Sequence, residues 1–200
     1  MNTRQIALAG TLLAIVFLAH AAGRFLQIGG AQLAPSIAIY ALIALLLAPQ
    51  LSWGPLVGMG LVIGILTMLA TSSPFPPANI PAHGLAFLCG AWLAKLWAPD
   101  GAELSTGKIL AGVSIVLLVS WTLFSVGTWL GLSGAGFTQQ SFARFGMQFG
   151  QGLLAWWLFG FVGVAIPTWI IALVLTPLLY RAVRPALVRQ GMIQEAEAGA

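Results

Sequence analysis

The chain reads as an all-α integral membrane protein, a six-helix transmembrane bundle with an additional amphipathic helix before its last span. Three observations predict this class. Only 12 of its 200 residues are Asp, Glu, Lys or Arg, 60% are hydrophobic, and the mean hydropathy is +0.98. A soluble domain of this size needs a charged shell, and here there is too little charge to build one. The apolar residues also form continuous runs instead of alternating, which excludes barrel strands and favours helices with internally satisfied backbones.

A bilayer core of roughly 30 Å needs about 20 helical residues. By that measure the spans fall near 6–23, 33–49, 53–71, 81–98, 107–131 and 152–181. The first carries Arg4, an apolar run and Ala19-His20-Ala21, a pattern that also suits a cleaved secretory signal; the run is long for a signal core, so a retained helix is expected. Gly10-x-x-x-Ala14 gives this helix a small-residue face that another helix can approach closely. Pro35 and Gln32 lie at the start of the second span, and Gly54, Gly58, Gly60 and Gly64 predict close internal packing of the third. Pro81 and His83 lie at the start of the fourth. In 132–151, Phe142, Phe145 and Phe149 alternate with a stripe of Arg144, Gln148 and Gln151, an amphipathic pattern suited to an interfacial helix or the wall of an outward cavity. Residues 1–189 are expected to form one domain and 190–200 a flexible cytoplasmic tail.

Lys and Arg near span ends set orientation. With the N-terminus inside, Arg4, Lys95, Lys108, Arg181, Arg184 and Arg189 are cytoplasmic, against Arg24 and Arg144 outside. Both termini are therefore expected inside a bacterial cytoplasmic membrane, and the net charge of +4 reflects topology and lipid contact. Scattered basic residues with no groove or motif exclude nucleic-acid binding. The single cysteine, Cys89, excludes an intrachain disulfide and a cysteine-based metal cluster.

Catalysis is poorly provisioned. Neither Asp100 nor Glu103 lies within a span, so no intramembrane carboxylate pair exists for proton transfer. His20 and His83 sit near the outer ends of helices, too few for a metal site, and His83 is expected to satisfy loop backbone groups or a ligand at the interface. A hydrolase would have to pair His83 with Ser72 or Ser73. No phosphate-binding glycine loop is present, and no cofactor is implied. The outer connections are longer than the inner ones, which places recognition outside. The most distinctive of them, Thr71 to His83, holds four prolines, at 74, 76, 77 and 81, and offers Phe75, Asn79 and His83 either to a ligand or to a rigid connector.

From Pro35 to Lys95, Pro35-Ser36 opens an apolar helix, and a glycine-rich span runs into Leu69-Ala70-Thr71-Ser72 and the turn Phe75-Pro76-x-x-Asn79-Ile80-Pro81. These features, about a third of the chain, resemble a substrate-binding S component of an energy-coupling-factor transporter, closest to the bacterial tryptophan-transporter family; the region after Lys108 resembles it by topology alone. The resemblance implies binding of a small, partly aromatic nutrient from outside, tryptophan or a related indole or a vitamin. Uptake would be powered by ATPase subunits through a transmembrane coupling subunit. It implies a docking face at Gly10 and Ala14, where the family carries an Ala-x-x-x-Ala-like pattern. A ligand of this kind would find aromatic walls in Phe75, Trp121, Trp129 and Trp156 or Trp157. Asn79, His83, Arg144 and Gln148 would anchor it, with Arg144 suited to a carboxylate. No outward acidic residue meets an amine. A non-catalytic subunit of a larger membrane complex is the competing expectation.

Overall fold

A computed structural model describes residues 3–28, 31–99, 101–134 and 152–193. Its helices are α1 (Thr3–Ala22), α2 (Ser36–Leu47), α3 (Trp53–Ala70), α4 (Asn79–Trp97), α5 (Thr106–Gly134), α6 (Leu153–Gly160) and α7 (Ile166–Arg189). Two-residue strands β1 (Gln27–Ile28) and β2 (Ala31–Gln32) form a small antiparallel hairpin between α1 and α2. Among the described residues, four stretches are helical, long and apolar enough to cross a membrane: Thr3–Phe25, Trp53–Ala70, Thr106–Gly134 and Leu153–Arg189. Helix α2 with the turn that follows it (Ser36–Gln50) is apolar but shorter, and α4, which carries Asn79, His83 and Lys95, is not one of the four.

Helix α2 is the central pillar. Every one of its residues except Ile39 is buried, as expected for a helix that is hydrophobic all round. It packs against α1, α4, α5 and α7. The surrounding helices turn large apolar residues outward: Leu18 on α1, Leu61 on α3, Leu85 on α4, Leu118 and Leu130 on α5, and Leu178 on α7 are all exposed. A mantle of this kind would be costly in water and is compatible with a multi-pass membrane protein.

The glycines of α3 divide by face. A Cβ at Gly64 would lie 2.6 Å from the Ile80 carbonyl oxygen, and Gly60 and Gly84 face each other so closely that a Cβ on either meets the other's carbonyl oxygen at 3.1 and 2.9 Å. These positions let the backbones of α3 and α4 nearly touch. Among the described residues, a Cβ at Gly54 or Gly58 would meet nothing within 4 Å, so the expectation of internal packing fails for this pair, which lies on the opposite, exposed side.

The last expected span is built in three parts. A π-helical turn at Phe161–Ala165 joins α6 to α7, and α7 continues past Pro177 and Pro185 to Arg189, eight residues beyond the expected end. Its polar groups explain the extension. Thr176 donates to the Ala38 carbonyl (3.2 Å), Tyr180 accepts from the Leu104 N–H (3.1 Å), and Arg184 donates to the Gly101 carbonyl (3.0 Å) and pairs with Glu103 at 3.7 Å. The helix closes on Gly191 (φ 65°), with Met192 N–H bonded to Leu187 O and Gly191 N–H to Val188 O, a Schellman ending. Ile193, inside the segment expected as a tail, is buried against the core.

Candidate functional site: a buried histidine network under an aromatic cluster

The Pro-rich turn expected between the third and fourth spans forms a short 3-10 turn, Pro76–Ala78, that runs directly into α4. Pro81 is accommodated because it is the third residue of α4, where an N–H has no partner within the helix. Asn79 opens the helix and His83 follows one turn later on the same face. Both are almost wholly buried, at 1% and 4% exposure.

Their hydrogen bonds define a direction. Asn79 Nδ2 donates to the Pro76 carbonyl (2.8 Å), which can only accept, so the amide oxygen faces His83 Nε2 at 3.1 Å. Nε2 must then carry the proton, and a neutral His83 presents Nδ1 as an acceptor. Nδ1 lies 3.0 Å from Ser120 Oγ on α5 and 3.1 Å from the Tyr40 hydroxyl on α2, and the Tyr40 and Ser120 oxygens are 3.2 Å apart. Tyr40 O–H donating to Ser120, and Ser120 O–H to Nδ1, places every proton. The chain Tyr40, Ser120, His83, Asn79, Pro76 thus ties α2, α5 and α4 together through fully paired groups. Tyr40 and Ser120 are themselves buried.

A second histidine stands beside it. The His20 ring lies edge-on to that of His83, centroids 5.2 Å apart, with its Nδ1 2.8 Å from Ser36 Oγ. The hairpin holds this corner: Gln32 Nε2 donates to the His20 carbonyl (2.6 Å) while its Oε1 accepts from the N–H and hydroxyl of Ser72, both at 2.8 Å. Arg24 donates to the carbonyls of Leu69, Ala70 and Thr71, closing the C-terminus of α3. Among the described residues no three of His, Cys, Asp and Glu converge.

Phe75, Trp129, Leu132, Leu153 and Trp156 form a separate small cluster at the same end of the bundle. The Phe75 ring fills the notch at Gly131, where it would collide with any Cβ, and Ala78 rests on Gly127. Trp121 belongs to the main core instead. It lies over Gly160, and its indole N–H donates to the Trp157 carbonyl (3.3 Å). Trp157 stacks on Phe161 with centroids 4.8 Å apart.

Of the sequence-predicted residues, the structure joins Asn79 to His83, and Phe75 to Trp129 and Trp156. It keeps Trp121 apart from that cluster. Arg144, Gln148 and the amphipathic pattern of 142–151 lie outside the described residues. Two expectations for His83 are corrected. It does not satisfy loop backbone groups, because it lies inside α4 with side chains of α2 and α5 on its nitrogen. Nor is it bonded to Ser72 or Ser73: Ser72 is taken by Gln32, and Ser73 Oγ accepts from the Phe75 N–H (3.2 Å). The hydroxyls on the ring are those of Ser120 and Tyr40. Sequence reasoning passed over both, although Tyr40 is one of two tyrosines in the chain and stands within a helix of otherwise apolar residues after Ser36. Gly10 and Ala14 are exposed on α1, and among the described residues a Cβ at Gly10 would meet nothing within 4 Å.

Comparison with protein-family models, curated proteins and solved structures finds no match for this chain.

Proposed function

We propose that the chain crosses a bacterial cytoplasmic membrane six times with both termini inside, and that it is a substrate-binding subunit for uptake of a small, partly aromatic nutrient. Tryptophan, a related indole or a vitamin is the proposed cargo, and partner subunits supply ATP-driven coupling. The observation that carries this reading is the paired network at Asn79 and His83 set beside the Phe75, Trp129 and Trp156 cluster at one end of the bundle. The paired network fixes the Asn79 turn beside aromatic surface of the kind that lines sites for small aromatic ligands.

The distribution of charge supports the orientation. Lys95 donates to the Leu51 carbonyl (2.6 Å), Lys108 to that of Trp97 (3.2 Å) and Arg181 to Thr106, all with Arg184 at the end away from Asn79. Arg24 stands at the other end. The exposed small-residue stripe of Ala7, Gly10 and Ala14 supports a helical partner against α1.

A thermal-shift and calorimetric screen of purified protein against tryptophan, other indoles and common vitamins tests the reading. Saturable stabilisation that disappears in Asn79→Ala is the expected result. In cells, Gly10→Leu combined with Ala14→Leu should reduce uptake at least about tenfold with affinity nearly unchanged, because it fills only the face that lets another helix approach. Loss of affinity in that double variant would defeat the docking assignment.

A specific observation favours a second reading. The turn 75–80 is packed tightly onto Gly131, Gly127 and Gly64, as expected for a non-catalytic structural subunit of a larger membrane complex. A folded protein that responds to no compound in the screen would put that reading first. An intramembrane hydrolase using His83 with Ser72 or Ser73 has no hydrogen bond in its support.

A further inference from the structure

Two hydroxyls have no place in the paired network. Ser125 Oγ and Thr128 Oγ1 on α5 are fully buried, at 0% exposure, and neither has a hydrogen-bond partner among the described residues. Helical Ser and Thr commonly bond to the carbonyl one turn back, as Ser114 does to Leu110 (2.8 Å) and Thr67 to Ile63 (2.9 Å). Ser125 and Thr128 make no such bond. They share one stripe of α5 with Trp121 and Leu132, at spacings of four, three and four. Trp121 lies against Gly160 at the end of α6, and Leu132 packs with Trp156 on α6 and with Phe75. The two hydroxyls therefore sit between two points of contact with α6, flanked by aromatic residues on both sides.

Buried polar groups without partners are rare in folded proteins and destabilise them, so a pair on one face calls for a missing partner. We propose that Ser125 and Thr128 are the polar anchors of the ligand site, and that they hydrogen-bond an uncharged edge of an aromatic ligand, such as a ring N–H or carbonyl, lodged between α5 and α6. This rests on the binding-subunit reading above and deepens it. The uncharged edge follows from the surroundings: residues 109–134, 152–180 and 71–94 contain no Asp, Glu, Lys or Arg. A charge buried there would have no counter-charge from these elements. Hydroxyls both donate and accept, so they suit either an N–H or a carbonyl.

The test compares Ser125→Ala and Thr128→Val with the wild type, reading the ligand-free melting midpoint and, by calorimetry, affinity for tryptophan and indole. Removing an unpartnered hydroxyl, with shape kept in Thr128→Val and one atom lost in Ser125→Ala, should raise the ligand-free midpoint by about 2–4 °C per variant. The same variants should weaken binding of the indole ring at least about tenfold. Ser120→Ala, one turn earlier and fully paired, should lower the midpoint instead. A midpoint that falls in both Ser125→Ala and Thr128→Val would show that the hydroxyls have partners in the protein and would overturn the proposal. Affinity equal to wild type in both would overturn it while leaving the uptake reading intact. A wild type that binds neither tryptophan nor indole, nor anything in the wider screen, would remove the uptake reading and the proposal with it.

Discussion

Replacing His83 by leucine should destabilise the folded bundle by about 2–5 kcal/mol, because two buried partners lose their only suitable match, each at about 1–3 kcal/mol. The volume is roughly conserved, so packing contributes little. What is lost is the acceptor for the Ser120 proton and the donor for Asn79 Oδ1, both among buried groups. Interhelical hydrogen bonds in membranes average only about 0.6 kcal/mol, and reach about 1.7, when the broken state finds other partners. Here the alternatives are few. Asn79 is fixed from the other side by its bond to Pro76, and the Tyr40 hydroxyl already occupies Ser120. Tyr40→Phe should cost less, since Ser120 can still donate to His83 Nδ1. Chemical unfolding in detergent measures both variants. A His83→Leu protein within about 0.5 kcal/mol of wild type would show that the network is slack and carries no stability.

Helices α1, α2, α3 and α5 were legible because each is a predominantly apolar run, and their boundaries fall close to the expected ones. Asn79 and His83 were legible as two hydrogen-bonding groups of one connection, but not as neighbours on one helical face, because the fourth span was expected to begin at 81 and α4 begins at Asn79. Tyr40 and Ser120 were not legible. Each lies in a different apolar helix, and nothing within either run states which face meets α4. The same limit explains the glycines. Gly54, Gly58, Gly60 and Gly64 are spaced to mark two faces, but only the packing of α4 decides which face is internal. The last span was read as ending at Arg181 because a basic residue marks a membrane boundary, and α7 runs beyond it to Arg189. The helix continues because Arg184 finds partners in the loop before α5 and Arg181 finds one in Thr106, the first residue of α5.

One substitution at two positions of α3 should have opposite outcomes. Gly64→Leu should destabilise the bundle by about 3 kcal/mol or more, at or beyond the upper end of ordinary overpacking, because the obstacle is backbone. Its Cβ would lie 2.6 Å from the Ile80 carbonyl oxygen and 2.8 Å from the Ile80 Cα, and neither can rotate aside. The first turn of α4 must move instead, and Ile80 is the neighbour of Asn79. The displacement would therefore also pull Asn79 from His83, so Gly64→Leu should break that hydrogen bond along with lowering intrinsic stability. Gly58→Leu, six residues earlier, meets nothing within 4 Å. Leucine removes the entropic cost of a helical glycine, about 0.5–1 kcal/mol, so this variant should be as stable as wild type or slightly more so. Midpoints of the two variants in the same detergent decide the matter. Equal losses would mean that α3 packs against another body through Gly58. Equal tolerance would mean that the close contact between α3 and α4 does not hold the Asn79 turn in place.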